Sequence, residues 1–165
     1  MKIYTKRGDQ GATDLLTKRI HKTDTQIRVN GTFDEVMAFI LMAKHDIKQT
    51  EIKEELNQVH DYIFSVCHEI ALDDENQNVI EEKMVKWVEQ KIDHYDSKLE
   101  PLTKFIKLDK TRAASMVNIA RVTIRRAERE LVYLATKQTI NPHTLELINR
   151  LSDYFFVLGR YLEIY

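Results

Sequence analysis

Very little in this chain of 165 residues can cross-link it, bend it or anchor it. A single cysteine, Cys67, excludes an internal disulfide, so the fold has to rest on a packed core, and a reducing cytoplasm is the simplest compartment. Four glycines and two prolines leave few tight turns, which argues against a sheet with many hairpins and for long uninterrupted helices. No apolar run is long enough to span a bilayer, and the N-terminus M-K-I-Y-T-K-R has no apolar signal core. Lys and Arg number 25 against 26 Asp and Glu, without the basic excess of a nucleic-acid-binding protein. The six histidines, among them His60 and His68, show no metal-ligand spacing and read as structural or surface residues. A Ser-His-Asp signature, a Walker loop, a dinucleotide fingerprint and internal repeats are missing as well, and Cys67 reads as core.

What remains is 43% hydrophobic content, enough for one domain over residues 1–165, and helical periodicity through most of it. The expected fold is all-α: a five-helix bundle over about 32–165 behind an irregular arm, residues 1–31. Thr32 with Glu35 forms a capping box for a first helix carrying Phe33, Val36, Met37, Ile40, Ala43 and Ile47. Thr50 caps a second helix to about Leu72 with Ile52, Leu56, Val59, Ile63, Val66 and Ile70. Asp73 to Asn78 is turn-rich, and Asn78 with Glu81 opens a third helix to about Asp96. Pro101 marks a linker from Ser97 to Thr111 that carries the apolar pair Phe105-Ile106. A fourth helix starts near Thr111, and Asn141-Pro142 opens the fifth.

The fourth helix carries R-V-T-I-R-R-A-E-R-E-L from Arg121 to Leu131. At about 100° per residue, Arg121, Arg125 and Arg129 form a guanidinium stripe beside the apolar face of Val117, Ala120, Ile124, Ala127 and Leu131. Arginine forks there suit a polyphosphate or a partner's carboxylate, and a solvated face with internal Glu to Arg pairs explains them equally well. In the arm, T-K-R-G-D-Q-G (5–11) places Gly8 and Gly11 where backbone amides can approach an anion, with Thr5, Lys6 and Thr13 beside them; a flexible basic arm is the plainer reading. Asp34 lies off the apolar face of its helix, suited to the dipole or to an arginine elsewhere. On the last helix Asn149, Asp153, Phe156 and Arg160 make a mixed stripe that core packing does not ask for.

Four segments read together, T-K-R-G-D-Q-G, N-G-T-F-D-E (30–35), I-A-R-V-T-I-R-R-A-E-R (119–129) and N-R-L-S-D-Y-F-F (149–156), resemble the PduO-type ATP:cob(I)alamin adenosyltransferases over nearly the whole chain. The resemblance implies a homotrimeric five-helix bundle with sites between subunits. The implied reaction transfers the 5′-deoxyadenosyl group of ATP, with Mg²⁺, to the cobalt of reduced cobalamin, and a flavin or flavoprotein reductase is the implied electron source. It assigns ATP contacts to Thr5, Lys6, Gly8, Asp9, Gly11, Thr13, Lys22, Arg125, Arg126, Glu128, Arg129 and Asn149. Asp34 and Arg125 match a catalytic pair that meets across the family's subunit interface, and Phe105 and Phe156 match aromatics facing cobalamin. It implies no protein-held metal.

Where the family carries Gly-Gly, this chain has Thr17-Lys18, and where it carries Leu-Pro-Gly-Gly-Ser, this chain has Lys107-Leu108-Asp109-Lys110-Thr111. Usual members also continue past the last helix, whereas this sequence stops at Tyr165. These departures lead to the expectation that the loop from Leu102 to Thr111 takes another path or stays mobile, with the corrin pocket more open than the ATP pocket. A catalytically weak ATP-binding or regulatory relative is the alternative function, and a purely structural helical trimer is a third.

Overall fold

The computed structural model describes residues 2–72, 74 and 78–165. Among them an antiparallel hairpin, β1 (Ala12–Asp14) and β2 (Arg19–His21), precedes five helices: α1 (Thr25–Asp46), α2 (Thr50–Leu72), α3 (Glu82–Asp96), α4 (Arg112–Ala135) and α5 (Pro142–Leu162). The all-α bundle stands, while several boundaries differ from expectation.

The arm is shorter and more ordered than 1–31, because Thr13 pairs with Ile20 in the hairpin and α1 already begins at Thr25. Asp24 caps that helix, its carboxylate accepting from the Gln26 N–H at 2.9 Å. Thr32 is therefore inside α1, its hydroxyl donating to the Arg28 carbonyl at 2.9 Å, and Glu35 pairs with Arg126 instead of closing a capping box. Gly31 breaks the sequence pattern but not the helix: glycine costs only about 1 kcal/mol there, while Val29 and Phe33 on either side are fully buried. The Gln49 carbonyl accepts from the Lys53 N–H at 3.2 Å and so takes the capping place expected for Thr50.

α3 starts after Glu81, not at Asn78, and has no side-chain cap. Of the turn-rich stretch Asp73 to Asn78, all but Asp74 and Asn78 lies outside the described residues. α4 and α5 begin as expected, the Thr111 hydroxyl accepting from the Ala114 N–H at 3.1 Å and the Asn141 side chain from the His143 N–H at 3.0 Å.

In space α4 lies between α1 and α5, with α2 on the far side of α1 and α3 on the far side of α5. Val117, Ala120, Ile124, Ala127 and Leu131 are buried as the periodicity requires. Ala120 and Ala127 let α4 approach its neighbours closely, which sets the outer arc that carries its charges. Two buried carboxylates of α2 close the bundle. Glu55 accepts from Lys91 Nζ and the Tyr95 hydroxyl, both at 2.8 Å, and from the Tyr154 hydroxyl at 3.3 Å, joining α2 to α3 and α5. Burial, followed by Glu55, raises the Tyr154 phenol well above its ordinary range, so it stays a donor. Glu69 accepts from the backbone N–H of Val79 and Ile80 at 2.8 and 3.1 Å, the Asn141 amide at 3.3 Å and the Thr144 hydroxyl at 2.5 Å.

Glu69→Ala leaves the Val79 and Ile80 N–H groups and the Thr144 hydroxyl without this acceptor, while the Asn141 amide keeps the Ile80 carbonyl, at about 1 to 3 kcal/mol for each buried group left unpaired. Urea unfolding is expected to show a loss of about 3 kcal/mol or more, whereas Glu54→Ala, on the exposed side of α2, leaves the midpoint nearly unchanged.

Candidate functional site

The arm is folded back on its own hairpin by charge. Arg7 and Arg19 both pair with Asp14, at 3.1 and 2.8 Å, and Arg19 also donates to the Arg7 carbonyl. The Arg19 hydrogen bond is the main cause that holds the Asp14 carboxyl below the usual carboxylate range. Lys22 Nζ donates to the Gly8 carbonyl at 3.0 Å, and its backbone N–H donates to the Gly11 carbonyl at 2.8 Å. Gly11 has φ +81°, and a Cβ there would sit 2.9 Å from His21 Nε2, so glycine is required by conformation and by space. Lys6 holds φ 59° without being glycine, a strain of about 1 to 2 kcal/mol of the kind found in ligand-binding segments. Thr5 Oγ1 accepts from the Arg7 N–H at 3.4 Å, and the Asp9 N–H donates to the Lys6 carbonyl at 3.4 Å.

The stripe on α4 divides its work. Arg126 is engaged with Glu35 of α1, and Glu128 accepts from the Asn149 amide of α5 at 2.8 Å. Arg129 donates to the Arg125 carbonyl at 3.0 Å, and Arg125 is exposed with no ion pair among the described residues. Asp34 on α1 is likewise exposed with no ion pair among the described residues, and Arg125 of its own chain does not meet it. Its field reaches Cys67 instead: burial first and Asp34 second push that thiol from an ordinary 9.0 to about 12. The contacts of Thr5, Lys6, Gly8, Asp9 and Lys22 stay within the arm, while those of Arg126, Glu128 and Asn149 reach α1 and α5.

Phe105 and Phe156 do come together. They line a cavity of about 610 Å³ with Leu102, Thr103, Lys104, Ile106 and Arg121. Phe105 is fully exposed and Phe156 half-buried, with the guanidinium of Arg121 5.9 Å from its ring centre. Arg121 Nε donates to Asn118 Oδ1 at 2.9 Å. Burial, and after it the nearby Arg125, pull the Arg121 guanidinium below its ordinary value, and it has no ion pair among the described residues. Sequence reasoning placed Arg121 in the stripe but not at this cavity. The signal available was its position one turn before Arg125, on the side toward α5.

The sequence model of the family described as cobalamin adenosyltransferase matches residues 3–162. The chain belongs to that family. It is 34% identical over 165 residues to the corrinoid adenosyltransferase of Bacillus subtilis, a match covering 97% of this chain and 86% of the relative. It is also 34% identical to the corrinoid adenosyltransferase PduO of Salmonella typhimurium, of whose length it spans about half, 49%. Solved variants of the PduO-type ATP:corrinoid adenosyltransferase of Lactobacillus reuteri superpose closely. The complex with ATP gives a TM-score of 0.92 at 34% identity, covering 98% of this chain and 94% of that one. The complex with cobalamin and ATP gives 0.89 at 35% identity, covering 98% and 93%.

Asp109 and Lys110 take no positive φ, so neither replaces glycine in a glycine-only conformation. The second half of the loop, expected to take another path or stay mobile, is anchored by three hydrogen bonds. The Lys110 N–H donates to Glu163 at 2.8 Å, the Thr111 hydroxyl to the Leu162 carbonyl at 2.9 Å and the Ser115 hydroxyl to the Leu108 carbonyl at 3.0 Å. Leu108 is buried against Gly159, where a Cβ would meet it at 2.9 Å. Thr17 and Lys18 stand in the turn of the hairpin, also without positive φ, and the Leu15 N–H donates to the Lys18 carbonyl at 2.7 Å.

With its thiol pKa raised to about 12, Cys67 is protonated in the folded chain at pH 9 and should resist iodoacetamide until urea unfolds it. The stability this burial contributes is complete below pH 9.0, the unfolded value, and is lost as pH rises toward about 12. Asp34→Asn removes a nearby negative charge, lowers the thiol pKa and should speed native alkylation at pH 9. An unchanged rate means that Asp34 does not act on Cys67.

Proposed function

We propose that this chain transfers the 5′-deoxyadenosyl group of ATP to the cobalt of cob(I)alamin, at sites shared between subunits of a homotrimer. Family membership supports the reaction, and one structural observation carries its placement: an aromatic cavity holding Phe105 and Phe156 opens beside the arginines of α4. In the reaction the cobalt(I) electron pair attacks C5′ of ATP, a Co–C bond forms, and the C5′–O bond breaks with its electrons leaving on triphosphate. Cobalt ends as Co(III). Co(I) is already a strong nucleophile, so the protein's part is alignment and stabilisation of the leaving charge.

Arg125 and Arg129 face outward with Lys6, Lys22 and the amides around Gly8 and Gly11 as the second half of a polyphosphate cradle. Because the contacts of the arm do not reach the stripe of its own chain, a neighbouring subunit's stripe completes the cradle. Arg126, Glu128 and Asn149 hold α4 against α1 and α5 beneath it, and Thr5, Asp9 and Thr13 shape the arm. Asp34 answers an arginine of that neighbouring stripe, Arg125 being one without an ion pair of its own. Mg²⁺ comes on the triphosphate as part of the substrate. Among the described residues no group of three or more His, Cys, Asp or Glu is placed to hold a metal.

Exposed Leu41, Met42, Val122 and Val132 on α1 and α4 supply apolar surface for the trimer contact. No helix is long and apolar enough to cross a membrane among the described residues. The unpaired thiol of Cys67 suits a reducing cytoplasm, where a flavoprotein reductase would supply Co(I). The decisive assay is anaerobic formation of adenosylcobalamin from ATP and chemically reduced cobalamin, and ATP binding without turnover would select the non-catalytic reading.

Charge-assisted contacts are worth about 1.5 to 3 kcal/mol each, so Lys6→Ala or Arg129→Ala should weaken ATP about tenfold or more by calorimetry. Unchanged affinity in both would remove this site from consideration.

Sedimentation should give a trimer at micromolar concentration, and Asp34→Asn should cut turnover far more than it lowers the melting temperature. A monomeric wild type rules out the shared site.

A further inference from the structure

The ATP and corrin assignments leave over two members of the mixed α5 stripe: Asp153, which is exposed, and Arg160. The Arg160 side chain is only 11% exposed, unusual for arginine, and it touches three parts of the fold. One terminal nitrogen donates to Asp96 at the end of α3 at 3.4 Å, and the other donates to the Glu100 carbonyl at 2.5 Å. The guanidinium carbon also lies 6.0 Å from the ring centre of Phe156, one turn earlier on α5. Glu100 is the near foot of the segment that carries Phe105. The far foot is fixed by the same stretch of α5, through Leu108 on Gly159 and Lys110 N–H on Glu163. Between the feet Leu102, Phe105 and Ile106 are exposed, with the 610 Å³ cavity on one side and another of about 630 Å³, lined in part by Arg160, on the other.

We propose that Arg160 is a positioning residue for the corrin reaction. One nitrogen of its fork holds the Glu100 carbonyl while its guanidinium lies 6.0 Å from the Phe156 ring centre, so one side chain links the loop that carries the aromatic wall to the aromatic floor on α5. Lysine cannot replace it, because a point charge on a flexible stem has neither the plane nor the fork. A wall and floor held at one spacing accept the flat corrin in a single pose, which adenosyl transfer along the C5′ to cobalt line demands. The proposal rests on the assignment of the Phe105 and Phe156 cavity to cobalamin.

The test uses the full chain as wild type, Arg160→Lys and Arg160→Ala, with ATP and chemically reduced cobalamin. KM for cobalamin is expected to rise about tenfold in both variants while KM for ATP stays within about twofold. Arg160→Lys should melt as the wild type does, yet lose most of the four-coordinate Co(II) absorbance formed on the ATP-loaded protein, and residues 101–107 should exchange amide hydrogens faster. Unchanged KM values, or both rising together with a lower melting temperature in Arg160→Lys, overturn the role. Should Arg160→Ala fail to fold, Arg160→Lys decides by the same readouts. A wild type that binds ATP but never shifts the corrin spectrum sinks the cobalamin assignment and this role with it. A normal wild type with indistinguishable variants sinks only the role of Arg160.

Discussion

Everything in this protein is arranged around the burial of α4 between α1 and α5. Val117, Ala120, Ile124, Ala127 and Leu131 fill that contact, and two of them are alanines, so the helix sits deep and its remaining arc is narrow. Arg121, Arg125, Arg126 and Arg129 share that arc. Among the described residues Arg126 pairs with Glu35, while Arg121, Arg125 and Arg129 have no ion pair. Guanidiniums without an ion pair at the edge of a core suit an anion or a carboxylate.

The aromatic cavity depends on α5 in a comparable way. Its last turns carry Phe156, Gly159, Arg160, Leu162 and Glu163, and these five positions supply the cavity floor and the anchorage of both ends of the loop bearing Phe105. Leu108 turns inward as an apolar anchor, and Asp109 and Lys110 keep ordinary backbone angles. The loop is tethered at its ends and exposed in its middle, an arrangement that suits a large substrate entering from the side.

The arm illustrates how local charge orders a short segment. Asp14 pairs with both Arg7 and Arg19 and offsets one of their two charges, and Lys22 reaches the Gly8 carbonyl beside them. The left-handed Lys6 is tolerated because the hairpin behind it is paired.

By itself the sequence determined the number and class of the helices, the buried face of α4, the caps at Thr111 and Asn141 and the segments that mark the family, because each depends on periodicity or on residues a few positions apart. It misplaced the start of α1, since Thr32 and Glu35 satisfy the capping pattern locally while Asp24 caps in fact and Glu35 reaches Arg126 across the bundle. The buried carboxylates Glu55 and Glu69, the seating of Leu108 on Gly159 and the three-way hold of Arg160 were decided only by the tertiary structure. Each joins residues tens of positions apart, and a charged or small residue on a helix carries no mark of whether its partner will be water or a distant donor. That choice is made when the helices pack and the water between them is excluded.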